Sequence, residues 1–323
     1  MRVVRAMRFG GPEVLVPGEA PAPVAGAGQV VVEVSVAGMT FVETQIRQGT
    51  DKWHDKPNLP YVPGTVVAGR VIAVGADVDP NWTGRRVVAR TASTGGFAEQ
   101  AVAGVDDLLA VPDALGLPEA CALQPDGSAA LGLVENARIR SGEWVLIEAA
   151  AGSLGSLLVQ LVRASGARVI GAARGTRKHD LIRRLGADAV VDYSEPDWTR
   201  QVIAVTGGAG PDVVFDGVGG KIGRAAFEVT ARGGRFSVHG ASSGTATVID
   251  PAQAQQRGVT VIGIEQLPAF GPHMLRWGAQ IMAEAAAGRI RPVIGQTFPL
   301  ERAADAHAAI ENRSGLGKTL LLI

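Results

Sequence analysis

The chain has 323 residues, 46% of them hydrophobic, which is enough for two cores, yet no apolar run approaches the roughly 20 residues that span a bilayer. Lysine plus arginine and aspartate plus glutamate balance at 31 each, so no net field favours nucleic acid or an anionic membrane, and neither is an expected partner. The single cysteine, Cys121, excludes an intrachain disulfide and reads as a buried thiol. With no signal-peptide core in MRVVRAMRFGGPEV, a cytoplasmic protein is expected.

From Arg2 to about Pro118, short Val-rich segments (QVVVEVSVAG, TVVAGRVIAVG, GRRVVAR, GGFAEQAVA) alternate with Gly, Pro and Asp turns, which predicts a small β-barrel or sandwich. From about Glu119 the strands become continuous apolar runs: EWVLIEA, ARVIGAA, DAVVDY, DVVFDGV, GRFSVHG and VTVIGI. Helical stretches such as 154–165, 177–185 and 221–231 separate them, as parallel βαβ units require. The expected fold is therefore α/β, a β-rich domain beside a doubly wound parallel sheet. Residues 1–123 with 266–323 are assigned to the first domain and 124–265 to the second.

The segment AAAGSLG follows a strand and opens a helix, with Ala150 where a dinucleotide fingerprint has its first glycine and with Gly152 and Gly155 in the next two positions. Gly152 would let backbone approach a pyrophosphate, Gly155 would let the helix pack on the sheet, and the N–H groups near Ser153 and Leu154 would face the phosphates. Glycine turns of this kind also serve steric needs alone. At the end of the next strand, where an NAD enzyme carries an acid, the sequence reads IGAARGTRK. Arg174, Arg177 and Lys178 there favour the 2′-phosphate of NADP(H), the alternative being a solvated basic start to a helix.

With these motifs stand LPYVPGTVVAGRVIAVG, LGADAVVDY, DVVFDGVGG, GGRFSVHG and FPLERAADAHAAIENRSGLGK. In order and spacing the whole chain resembles the zinc-free quinone oxidoreductase (zeta-crystallin-like) branch of the medium-chain dehydrogenase/reductase superfamily. The resemblance implies a GroES-like catalytic domain, a Rossmann domain and NADPH as the hydride source. Carried over residue by residue, it implies that Tyr193 and Lys178 lie beside the adenosine phosphate. Gly217 and Val218, in DGVGG, match a loop near the cofactor, and Gly240, Ala241 and Ser242 a turn near the nicotinamide ribose; Ser128 stands where the family has a threonine facing the nicotinamide. Tyr193 also fits a half-buried packing role, and the glycines fit plain turn geometry.

Zinc-dependent relatives place a cysteine where this chain has Ala37 and a Gly-His-Glu motif where it has Thr65 and Val66, so no metal is expected. Reduction of an electrophilic acceptor, a quinone or related enone, then fits better than alcohol oxidation. The family's Asn and Asp in a GVNxxD segment are replaced by Thr40 and Glu43, and the neighbouring KWH offers Trp53 to stack on a flat acceptor. Thr40, Glu43, Trp53 and Ser128 are the catalytic candidates, although Glu43 also fits a helix-start dipole partner and Trp53 a surface loop. Two alternatives stay open beside the quinone reductase: an enoyl-thioester or 2-alkenal reductase, and a non-catalytic NADPH-binding or RNA-binding family member. The resemblance also implies a homodimer paired through the edge segment Gly258–Ile264.

Overall fold

Alternating valines dictate the first half of the chain: strand β3 (Gln29–Met39) buries Val30, Val32 and Val34 in one cluster, as the period-two geometry of a strand demands. The computed structural model describes residues 1–92 and 94–323. Its contacts divide it into two units, Met1–Pro125 with Gly278–Ile323, and Asp126–Trp277.

In the first unit β1 (Arg2–Ala6) and β2 (Leu15–Glu19) form a two-stranded antiparallel sheet. β3 leads into helix α1 (Phe41–Gln48), followed by β4 (Val66–Val74), β5 (Arg86–Arg90), β6 (Gln100–Gly104), β7 (Leu108–Ala110) and α2 (Leu117–Ala122). The second unit begins with α3 (Asp126–Ala137) and continues through β8 (Trp144–Glu148), α4 (Ser153–Ala164), β9 (Arg168–Ala172), α5 (Thr176–Arg184) and β10 (Ala189–Val191). It proceeds through α6 (Trp198–Val205), β11 (Val213–Asp216), α7 (Gly220–Val229), β12 (Arg235–Val238), α8 (Pro251–Arg257), β13 (Thr260–Ile262) and α9 (Gln266–Ala269). Helix α10 (Met274–Ala286) carries the chain back to the first unit, which ends in β14 (Ile294–Pro299), α11 (Ala303–Glu311) and β15 (Lys318–Leu322).

The carboxyl-terminal strand completes the first unit, since β15 pairs antiparallel with β3 (Leu321 opposite Ala37) in a sheet of order β14-β15-β3-β4-β5-β7, with β6 also on β3. The six expected parallel strands of the second unit are all present, in order β10-β9-β8-β11-β12-β13. This is the doubly wound Rossmann order, and it reverses between β8 and β11, where open α/β sheets bind ligands at the carboxyl ends of their strands. Phe215, Phe227 and Phe236 are among its fully buried side chains, and burying each stabilises the unit by roughly 1.5–3 kcal/mol.

The second domain boundary departs from the sequence expectation. Gln266 Nε2 donates to the Val238 carbonyl at 2.7 Å, Asn136 Nδ2 donates to Gln266 Oε1 at 3.0 Å, and the Trp277 indole donates to Glu135 at 3.0 Å. These bonds, with the edge-to-face pair of Phe270 and Trp277, tie residues 266–277 to the Rossmann unit, so the chain leaves it after Trp277 instead of after Glu265. The edge strand β13 is only three residues long, with Thr260 and Val261 exposed and Val259 buried.

Candidate functional site

In the first unit Thr40 and Glu43 stand where β3 gives way to α1. Thr40 is the helix N-cap and forms a capping box with Glu43, an arrangement that satisfies two orphan donors of the first turn. Glu43 Oε2 accepts the Thr40 N–H at 2.7 Å and the Thr40 hydroxyl at 3.1 Å; Oε1 accepts the Thr65 N–H at 3.0 Å and its hydroxyl at 3.2 Å. Glu43 is only 4% exposed. Desolvation pushes its carboxyl above the usual range, opposed by the Thr40 bonds and by the charge of Lys318, a lysine that is itself buried. With all of these donors on it, Glu43 tethers α1 to the start of β4, a role that the sequence reading did not include. Thr40 remains partly exposed beside it.

Cys121 is fully buried, as expected, and desolvation drives its thiol up to about 12. A Cβ on Gly38 would stand 3.2 Å from Cys121 Sγ and 3.4 Å from Lys318 Cε, so glycine in β3 makes room for both. Trp53 is 51% exposed in a turn that Asp51 holds by accepting the N–H groups of Trp53 (3.1 Å) and His54 (2.7 Å). Ala37 is fully buried in β3, and Thr65 serves Glu43. Among the described residues no group of three or more His, Cys, Asp or Glu is placed to hold a metal ion.

In the second unit the turn between β8 and α4 is built on close backbone approach. A Cβ on Gly155 would lie 2.4 Å from the Ala149 carbonyl oxygen and 2.8 Å from Ala150 Cα, so only glycine lets α4 sit this low on the sheet. Gly152 is different, since a Cβ there would meet only the Ala149 oxygen, at 3.2 Å. The left-handed residue of the turn is Ala149, at φ 48°, one position before the alanine matched to the first fingerprint glycine. Ser153 and Leu154 are partly exposed at the start of α4, where helix N–H groups have no partner within the helix. The Ser153 hydroxyl donates to Asp126 at 2.5 Å. Ser128, by contrast, is fully buried in α3, a placement that the expectation of a hydroxyl facing a ligand did not include.

Beyond β9, Arg174 and Arg177 are exposed and Lys178 is partly exposed, around the start of α5, whose N-cap Gly175 sits at φ 85°. Asp192, at the end of β10, accepts the Gly175 N–H at 2.8 Å and bonds Ser194. Although desolvation raises it, the bonds from Ser194 and Gly175 hold the Asp192 carboxyl below its usual range. The acid therefore fixes the turn that leads into α5. Tyr193, next in sequence, packs partly buried against the apolar cluster of the Rossmann unit.

The loops after β11 and β12 are bound to one another. Ser242 N–H donates to the Gly217 carbonyl at 3.2 Å and Ser243 N–H to the Val218 carbonyl at 2.8 Å. A Cβ on Gly240 would meet the Gly217 oxygen at 2.9 Å, and one on Gly217 would meet His239 Nε2 at 2.7 Å, so both glycines first answer to protein packing. Val218 and Ala241 are buried and Ser242 is partly exposed. Glu148, which the sequence places at a strand end beside the AAAGSLG turn, is fully buried at the end of β8; two polar residues near it had no clear signal in the sequence, Asp216, fully buried at the end of β11, and Thr247, whose hydroxyl donates to Asp216 at 2.5 Å.

The Alcohol dehydrogenase GroES-like domain family matches residues 26–113, and the Zinc-binding dehydrogenase family matches residues 153–273. The quinone oxidoreductase of Rattus norvegicus is 32% identical over 326 residues, covering 100% of this chain and 98% of the relative. The crystal structure of Escherichia coli quinone oxidoreductase complexed with NADPH superposes with a TM-score of 0.92 at 28% identity, covering all of both chains. A structure described as an NAD-dependent alcohol dehydrogenase superposes with a TM-score of 0.89 at 30% identity, again over all of both chains.

Proposed function

The chain belongs to the quinone oxidoreductase family of the medium-chain dehydrogenase/reductases, and from that premise we propose that it binds NADPH and reduces a quinone or related conjugated carbonyl without metal. The observation that carries the reading is the cluster of Arg174, Arg177 and Lys178 at the end of β9, with two of the three side chains exposed. Guanidinium and ammonium groups favour a phosphate dianion, and a carboxylate in their place would repel it.

The residues fit the dinucleotide on steric grounds as well. Gly155 holds α4 close to the sheet, and the open flank of Gly152 leaves room for backbone N–H groups to meet a pyrophosphate. In this reading Ser153 and Leu154 offer those N–H groups, Arg174, Arg177 and Lys178 hold the 2′-phosphate with Tyr193 beside them, and the Gly217–Val218 and Gly240–Ser242 loops border the nicotinamide end. NADPH, when bound, supplies the hydride. Thr40, whose hydroxyl donates to Glu43, keeps acceptor capacity toward a substrate hydroxyl, Glu43 fixes the Thr40 backbone and hydroxyl, and Trp53 offers an exposed aromatic face to a flat acceptor. The protein would work in the cytoplasm as a homodimer joined through β13, whose exposed Val261 a second copy would cover.

The alternative acceptor is an enoyl thioester or 2-alkenal, whose carbonyl oxygen, like a quinone's, only accepts hydrogen bonds. Steady-state NADPH oxidation with quinones, enals and enoyl thioesters separates the two. We expect quinone turnover that a chelator leaves unchanged and that NADH supports at least about tenfold less well. Equal use of NADH, or tight NADPH binding with no turnover on any acceptor, overturns the proposal.

A further inference from the structure

Glu148 and Asp216 occupy adjacent places at the carboxyl ends of neighbouring parallel strands: β8 and β11 pair Ile147 with Phe215, and the next residue on each strand is the acid. These are the two strands between which the sheet order reverses. Both acids are fully buried, side by side at the ends of these paired strands. Asp216 collects three donors: Oδ1 takes the N–H groups of Val218 (3.1 Å) and Gly219 (2.7 Å), and Oδ2 takes the Thr247 hydroxyl (2.5 Å). Glu148 Oε2 takes a longer share of the Val218 N–H at 3.3 Å, and Oε1 is buried with no donor on it.

Two carboxylates this close in a desolvated place do not both ionise, and the bonding pattern says which one keeps the proton. Asp216 is surrounded by donors, whereas Glu148 has one bare oxygen. Desolvation first, and the neighbouring Asp216 second, push Glu148 well above the usual carboxylate range. His239 completes the cluster. Its backbone N–H donates to the Asp216 carbonyl at 2.8 Å, its Nδ1 is buried without a partner, and desolvation holds the ring down to about 4, so it adds no positive charge near neutrality. Thr247 reaches Asp216 across a gap that Gly223 of α7 keeps open, since a Cβ there would lie 2.0 Å from the Thr247 hydroxyl.

We propose that Glu148 and Asp216 are positioning residues for the dinucleotide: Glu148 donates a hydrogen bond to Asp216, and Asp216, so oriented, gathers the Val218 and Gly219 N–H groups and the Thr247 hydroxyl and fixes the loop after β11. The loop is also bonded to the turn after β12 through Ser242 and Ser243, so the pair sets both segments assigned to the nicotinamide end. The inference rests on the cofactor reading above, but it concerns which buried groups shape the loop.

The test compares NADPH dissociation constants for wild type, Glu148→Gln, Glu148→Leu and Asp216→Asn at pH 7, with thermal unfolding run alongside. A glutamine amide can still donate to Asp216 and accept from Val218, and a leucine can do neither. Binding within about threefold of wild type is expected for Glu148→Gln, and binding about tenfold weaker or worse for Glu148→Leu and Asp216→Asn. Glutamine as damaging as leucine, or leucine as harmless as glutamine, overturns the proposal. Should Asp216→Asn fail to fold, Thr247→Val, which removes one donor from Asp216, takes its place with an expected weakening of about threefold or more, and unchanged binding counts against the proposal. Failure of wild type to bind NADPH would sink the cofactor reading itself, a result distinct from all of these.

Discussion

Gly155 lies against Ala149 so closely that a Cβ on the glycine would stand 2.4 Å from the alanine's carbonyl oxygen. The neighbour is backbone, so it cannot swing aside; the helix would have to retreat. Gly155→Ala is therefore expected to destabilise the protein by roughly 1–3 kcal/mol and to weaken NADPH binding more than about tenfold, because the N–H groups of the first turn of α4 move with it. Urea unfolding with a parallel NADPH titration checks both, and an unaffected affinity would remove α4 from the phosphate site.

The basic cluster makes a selective prediction. Arg174 and Arg177 are exposed in the free protein, so replacing them should alter stability little. For the double variant Arg174→Ala, Arg177→Ala, the NADPH dissociation constant should rise by roughly 10- to 100-fold, the equivalent of one or two lost charge-assisted bonds. Its NADH affinity should stay unchanged. Calorimetry with both cofactors reads the result, and parallel losses for NADPH and NADH would mean that the two arginines do not discriminate the phosphate.

Much of this was legible in the sequence, for local reasons. The six parallel strands stand out because burial on both faces makes each a continuous apolar run, and Gly155 stands out because its restriction arises within a few residues of chain. Positions that depend on distant partners are silent. Nothing near Lys318 says that a lysine is buried there; that follows from β15 pairing with β3, which places Lys318 beside Gly38. Ala149 looks like an ordinary alanine and yet carries the left-handed backbone of the fingerprint turn. Asp216 and Thr247 meet only because α7 has a glycine at position 223 to pass between. Glu43 was read from its sequence neighbours alone, and its second partner, Thr65, comes from the start of another strand.

That partnership makes Glu43 a stability residue with a catalytic consequence. Glu43→Ala strands the N–H groups of Thr40 and Thr65 in a buried place, which should cost roughly 2–4 kcal/mol. Glu43→Gln keeps one acceptor oxygen and should cost about half as much. Thr40→Val separates the two roles, since it removes the hydroxyl while leaving the Thr40 N–H on Glu43. A fall in kcat for Thr40→Val with little change in unfolding midpoint would place the hydroxyl at the substrate, whereas wild-type kcat would leave Thr40 a cap only.

His307 should govern the acid side of the stability profile. It is fully buried in α11, edge-on to Phe97, with both ring nitrogens lacking a partner. Desolvation, and then the charge of buried Arg47, hold its pKa down to about 3. An unfolded chain protonates the same ring near pH 6.5, so below that point the unfolded state binds a proton that the folded state refuses. Stability accordingly falls as the pH drops from about 6.5 toward about 3 and is insensitive to this residue above 7. His307→Leu removes the proton from the unfolded side and the unpaired nitrogens from the folded side. Relative to wild type, the variant should therefore gain about 2 kcal/mol more at pH 5 than at pH 7, read as the difference between urea midpoints converted with a common m-value. An equal gain at both pH values would mean that the buried ring takes up its proton as readily in the native protein as in the unfolded chain.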